Sequence, residues 1–323
     1  MPGRGFGVVS AIWKERPEAG NALALRLILW IAFGAGRTMA RAVLYPAALY
    51  FLMRRGPERR ASQHFLARVT GRRASLYQSY RHILCFSFTV LDRVYLLTER
   101  FRRFDIHCAG LADLNSALDE GRGVLLIGTH LGSFEALRAL SLQRPQVPIR
   151  ILLDVAQSPT VMRTLNALNP AMAATIIDVR EAGPTVTIAI KQALDENAIV
   201  ALLADRARPG ENVRYMDFLG DAAPLPVGPW LLAAALKVPV VLAFGLYRGG
   251  NRYDLHFERF CADMPADRAQ RESALPGILE RFAGRMAHYA RLAPYNWFNF
   301  YDFWSKAAAD SVSVDAGDLL RRS

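Results

Sequence analysis

From about residue 104 onward, short apolar runs alternate with longer segments of helical spacing, and this alternation most restricts what the chain can fold into. The apolar runs fall at 123–128, 149–153, 174–178, 199–203, 240–245 and 253–258. Between them, apolar residues recur every three to four positions at 111–118, 132–142, 159–168, 184–197 and 227–236, and again at 272–291 after the last run. Runs such as Val124-Leu-Leu-Ile127 are apolar at successive positions, so both faces of the strand must be covered. The expected fold is therefore α/β: a mostly parallel central sheet with helices on both faces, and reactive groups at the carboxyl ends of its strands.

With 323 residues and 52% hydrophobic composition the chain can bury a full core, which argues against disorder. Its formal charge is +11, but the excess is local. Residues 1–103 hold 18 Arg and Lys against 5 Asp and Glu, whereas 104–323 hold 22 against 24. The N-terminal cations flank two apolar runs, 22–36 and 42–53, and are not interleaved with base-stacking residues. That arrangement suits an anionic lipid surface better than a phosphodiester backbone, and nucleic acid is not an expected partner. Each run is shorter than the roughly 18–20 residues a spanning helix needs, and joining them would bury Arg37 and Arg41 at about 2.5–3.5 kcal/mol apiece. The reading is an interfacial helix or shallow hairpin, with Arg54, Arg55, Arg59 and Arg60 at headgroup level. The alternative is a pair of core helices in a soluble protein. Two further helices are expected within 62–97, broken near Gly71. The expected organisation is a membrane-associating segment at 1–60, an α/β domain at 61–310 and a tail at 311–323.

Cys85, Cys108 and Cys261 are odd in number and widely spaced, so neither a disulfide framework nor a zinc site follows and no metal is expected. The chain has no G-x-x-x-x-G-K-[ST] loop and no G-x-G-x-x-G after a strand, which removes the common nucleotide sites.

The chemistry is expected where the run 123–128 passes into Thr129-His130-Leu131-Gly132-Ser133-Phe134-Glu135. A histidine at a strand's carboxyl end, with a carboxylate five positions on, can fold back so that Glu135 accepts from one ring nitrogen. The other nitrogen is then free to take a proton. Gly132 permits the tight turn, and backbone N–H groups at the start of the next helix are expected to favour developing negative charge. A plain hydrogen-bonded histidine is the alternative. Arg206, at the end of the run 199–203, lies on the same sheet edge and is expected to clamp an anionic group, with Asp205 orienting it. An ordinary surface ion pair is the alternative there. The segment from Phe218 and Gly220 to Gly228 is expected to shape a substrate groove, or else to be simple turn chemistry.

Three blocks together resemble the lysophospholipid acyltransferase superfamily, in its branch of lipid A lauroyl and myristoyl acyltransferases: GVLLIGTHLGSFEALRAL, LLADRARPGENVRYMDFLGDAAPLPVGPWLLAAALKVPVV and PYNWFNFYDFW. The forms HLGSFE, LADR and FLG also resemble acyltransferases of aryl polyene and xanthomonadin-type pigment pathways. The resemblance implies an acyl thioester donor carried on acyl carrier protein or coenzyme A, with no cofactor, no metal and no covalent acyl-enzyme. It implies His130 as general base with Glu135, and Gly132, Ser133, Asp205, Arg206, Phe218, Gly220 and Gly228 on the substrate-binding side. The acceptor would be a hydroxyl or amine of a lipid or glycolipid, at the cytoplasmic face of a bacterial inner membrane. Ala204-Asp205-Arg206 and Phe298-Asn299-Phe300-Tyr301-Asp302 depart from the branch's Pro-Asp-Gln and His-Arg-Arg elements, where an acceptor's phosphates and sugars would sit. The rival functions are an esterase or thioesterase using Ser133, though no G-x-S-x-G elbow occurs, and a non-catalytic membrane scaffold.

Overall fold

A computed structural model describes residue 32 and residues 34–304, apart from 140–145, 156–161, 164–165, 167, 181–182, 208–209, 262–264 and 266. Three helices lead in: α1 (Gly36–Arg54), α2 (Gly56–Thr70) and α3 (Leu76–Leu96). The break near Gly71 has two local causes. Gly71 takes the left-handed conformation that ends α2 (φ 68°), and Ser75 and Gln78 form a reciprocal capping box that starts α3.

The α/β body follows as β1 (Asp105–Ala109), α4 (Leu111–Leu118), β2 (Val124–Gly128), β3 (Ile149–Leu153), α5 (Pro170–Ala173), β4 (Ile176–Asp178), α6 (Gly183–Asp195) and β5 (Ile199–Leu203). It continues through β6 (Val213–Phe218), β7 (Asp221–Pro226), α7 (Gly228–Leu236), β8 (Val240–Gly249), β9 (Arg252–Cys261) and α8 (Arg268–Leu292). Seven strands form one sheet in the order β1-β9-β8-β2-β5-β3-β4. The five from β8 to β4 are mutually parallel, and β9, antiparallel to β8, begins a reversed edge with β1. The expected mostly parallel sheet is therefore present, with a hairpin at β8–β9 turning through Gly249 and Gly250, both at positive φ.

Side-chain alternation along the central strands divides the core in two. Leu125, Ile127, Val200, Leu202, Leu242 and Phe244 point to the face covered by α2, α6, α7 and α8. Val124, Leu126, Ile199, Ala201, Val241 and Ala243 point to the face covered by α1, α3 and α4. Both faces are thus sealed by helices, as the uninterrupted apolar runs require.

The apolar run 42–53 forms the body of α1. Its inward row, Ala40, Leu44, Ala48 and Leu52, is buried against α3, while Met39, Val43, Tyr50 and Met53 stay exposed. Asp92 of α3 holds α1 in place: it accepts two hydrogen bonds from Arg37 (2.6 and 2.7 Å) and one from Tyr253 (2.9 Å). The boundary drawn after residue 60 falls within α2, and residues 1–31 and 311–323 lie outside the described residues. No described helix is long and apolar enough to cross a membrane.

Two expectations require adjustment. Of the helix expected at 132–142, the described part is a 3-10 turn, Phe134–Ala139, because residues 131–133 are first drawn across to neighbouring segments, and 140–142 lie outside the described residues. Most of the helix expected at 159–168 lies outside the described residues. Strands β1, β6 and β7 had no apolar run to reveal them. Strand β1 is an edge strand, and β6–β7 form a separate two-stranded sheet carrying Pro224 and Pro226.

Candidate active site

The site is set by register. Strands β2 and β5 are parallel neighbours with Gly128 opposite Leu203, so the residues two positions beyond each strand end are brought side by side. Those residues are His130 and Asp205. The imidazole Nδ1 of His130 donates to Asp205 Oδ1 at 2.7 Å, and the backbone N–H of His130 donates to Oδ2 at 3.1 Å. With Nδ1 committed as donor, Nε2 is the nitrogen left to accept a proton.

This pairing corrects the expectation that Glu135 orients His130. Glu135 lies in the 3-10 turn after Gly132, and its carboxylate is turned to α3, where Oε1 lies 2.5 Å from Arg93 Nε. Its Oε2 accepts from Ser133 Oγ at 3.1 Å. The hydroxyl of Ser133, which is buried, is therefore directed at Glu135 and not at His130, which disfavours a serine nucleophile.

Asp205 is fully buried and accepts from four donors: the two of His130, Trp297 Nε1 (3.1 Å) and Asn299 Nδ2 (3.3 Å). Burial alone would raise the pKa of this carboxyl, but the attraction it would have for a protonated His130, the hydrogen bonds from His130 and the Arg206 charge outweigh it. The carboxyl is held well below the usual carboxylate range. For His130 the balance runs the other way. Burial and the nearby Arg206 guanidinium lower its pKa below the ordinary 6.5, and Asp205 only partly opposes them. The ring is consequently neutral at pH 7 and able to act as a base.

Arg206 does not project as a free clamp. Its Nε donates to Asn299 Oδ1 and its Nη2 donates to the carbonyl of Phe298 at 2.9 Å. Asp205 and Arg206 are joined through Asn299 and not by orienting each other directly.

The aromatic segment after α8 lines the site. Phe298 N–H donates to the carbonyl of His130 (3.0 Å), and Trp297 pairs with Leu131 in an isolated bridge. His82 of α3 fixes Trp297 in turn. Its Nε2 must be the protonated nitrogen, because it meets the carbonyl of Trp297 at 2.8 Å, so Nδ1 accepts from Ser62 Oγ at 2.9 Å. Complete burial lowers the pKa of His82 to about 4, and the ring stays neutral in that role. Trp297, Asn299, His82 and Arg93 were not singled out in the sequence. For Trp297 and Asn299 the sequence signal was their place in the C-terminal aromatic block, whose two asparagines need partners in such company.

Gly132 is held by two neighbours. Its N–H donates to the carbonyl of Asn296 and that of Ser133 donates to Gly245, each at 2.7 Å. These amides are committed, so they do not supply the free donors expected at the start of the helix. Phe218 is buried in an aromatic cluster with Trp297, Phe303 and Trp304, reaching the site only through Trp297. Gly220 sits in the exposed β6–β7 turn and Gly228 opens α7.

The profile of the bacterial lipid A biosynthesis acyltransferase family matches residues 87–300. The chain therefore belongs to that family and is a lipid acyltransferase. A comparison with curated proteins finds no significant match.

The close approach at Gly132 gives a direct test of the turn. With φ at 74°, a Cβ there would stand 1.8 Å from the carbonyl oxygen of Gly245. Gly132→Ala is expected to lower stability by about 2–6 kcal/mol, combining a left-handed backbone cost with overpacking. Urea unfolding measures this, and an alanine variant as stable as the parent would contradict the described turn.

Proposed function

We propose that the protein transfers an acyl group from a thioester, carried on acyl carrier protein or coenzyme A, to a hydroxyl or amine of a lipid or glycolipid acceptor. The observation that carries this reading is the His130–Asp205 pair at 2.7 Å on the carboxyl edge of the sheet, in a chain of this family. His130 Nε2 removes the acceptor's proton as its oxygen or nitrogen attacks the thioester carbonyl. Collapse of the tetrahedral intermediate breaks the carbon–sulfur bond, and the imidazolium returns its proton to the departing thiolate. Asp205 keeps the ring in the tautomer that leaves Nε2 open and stabilises the transient imidazolium. In this scheme Glu135 acts at one remove, holding the His130 turn to Arg93.

We further propose that the enzyme works attached to an anionic membrane, at the cytoplasmic face of the inner membrane. The outward face of α1 supports this, with Met39, Tyr50 and Met53 at 56, 66 and 72% exposure. Leu76 and Tyr77 at the start of α3 are exposed too, and Arg54, Arg55, Arg59 and Arg60 follow at the α1–α2 junction.

Both parts are testable. His130→Ala should fold like the parent, Asp205→Asn should keep the fold at lower stability, and both should lose about 10²–10⁴ in transfer rate. Glu135→Gln should lose much less. The pH profile has a definite sign: His130 must be neutral to act, and its pKa lies below 6.5, so the acid limb of kcat/KM falls below that value. Asp205 raises the pKa of His130, so in Asp205→Asn the residual activity should have its acid limb moved further down. Full activity in His130→Ala would overturn His130 as the base. For the membrane, changing Met39, Tyr50 and Met53 together to Gln removes roughly 1.5–3 kcal/mol of burial per side chain. Flotation with anionic vesicles should fall sharply while transfer to a short, water-soluble acceptor persists. Unaltered flotation would show that α1 is not the membrane face.

A further inference from the structure

A cavity of about 660 Å³ opens beside the site, between α3, the β8–β9 hairpin and the segment following α8. It shares a wall with the His130 turn through Asn296, whose carbonyl holds Gly132 and whose side chain accepts from Tyr247 N–H at 2.7 Å. Its lining is cationic: Arg41, Arg81, Arg248 and Arg252 against Asp105 and Asp254. Arg248 is paired with Asp254 at 3.2 Å. Among the described residues, no carboxylate pairs with Arg81 or Arg252.

The guanidinium of Arg41 is fixed in place before any ligand arrives. It donates to the carbonyl of Gly250 (3.1 Å) and to Tyr247 Oη (2.7 Å), and it lies 3.7 Å over the ring of Phe88. Asp92 stands 4.0 Å away but is already engaged by both nitrogens of Arg37. Arg81 rests over the ring of Tyr295 at 4.5 Å. Three guanidiniums from α1, α3 and β9, two of them held by rings or carbonyls, leave positive charge that suits a doubly charged, many-oxygened anion.

The volume is far larger than one ion needs, and part of the wall is apolar, with Leu84 and Phe88. The ring of Tyr45 packs edge-on against Phe88 at 5.6 Å. Tyr45 and Leu49 are themselves half exposed, one and two turns along α1 from Arg41. We propose that this cavity is a binding site, distinct from the His130–Asp205 pair, for the phosphoryl headgroup of an amphiphile whose tails lie along Tyr45 and Leu49. The assignment stands on the cavity and holds whether or not His130 transfers acyl groups.

Calorimetric titration of the full chain in a neutral detergent tests it, using dihexanoyl phosphatidic acid, dihexanoylglycerol and inorganic phosphate as probes. Phosphatidic acid should bind saturably and roughly tenfold or more tighter than either other probe. Arg81→Gln with Arg252→Gln should weaken it by about tenfold or more, and the matching lysine pair should recover part of that loss. His130→Ala should bind as the parent does, which separates this site from the catalytic reading. Inorganic phosphate binding as tightly as phosphatidic acid would overturn the amphiphile assignment, and dihexanoylglycerol binding as tightly would overturn the phosphoryl one. A double variant that melts like the parent and binds unchanged would overturn the site. Should the double variant melt early, Arg252→Gln alone, at the exposed β9 end, gives the same reading.

Discussion

The buried carboxylate of Asp205 is the constraint on which the functional half of the molecule depends. An ionised group without access to water is tolerated only when its lone pairs are satisfied, and here four donors converge on it. Those donors come from two separate stretches of chain, the turn after β2 and the segment after α8. Satisfying one carboxylate therefore closes the C-terminal aromatic segment over the sheet edge. The same contacts fix which nitrogen of His130 is left free. Structural cost and chemical competence thus arise from one interaction.

A second buried carboxylate plays a similar part where α1 and α3 meet β9. Asp92 gathers Arg37 and Tyr253 and so ties α1 to α3 and β9. Burial and the negative charge of Asp92 push the Tyr253 hydroxyl well above its ordinary pKa, so it remains a neutral donor there. Arg37 takes the two shortest contacts with Asp92, and the neighbouring Arg41, 4.0 Å from the same carboxylate, lines the cavity. The N-terminal arginines consequently divide into those spent on the fold and those left for a ligand or a surface. Net charge alone does not make that distinction.

The parallel sheet was legible because β2, β5 and the first half of β8 are apolar at every position, which only a strand covered on both faces tolerates. His130 was legible for the same reason, since it follows directly on such a run. Its partner was not. The spacing between His130 and Glu135 is visible along the chain, whereas the bond to Asp205 spans 75 residues and follows from the alignment of Gly128 with Leu203. Strand register is set by packing of whole elements, and a linear spacing argument has no access to it. Arg206 was read as a clamp because its charge is evident in the sequence. Its engagement by Asn299 and Phe298 becomes apparent only once α8 has returned that segment to the sheet.

The orientation of His130 is the central claim, and nitrogen NMR of histidine-labelled protein measures it most directly. The account predicts that near pH 7 the His130 ring is neutral with its proton on Nδ1. That signature should be lost in Asp205→Asn and kept in Glu135→Gln. A ring whose tautomer changes with Glu135 and is indifferent to Asp205 would contradict it.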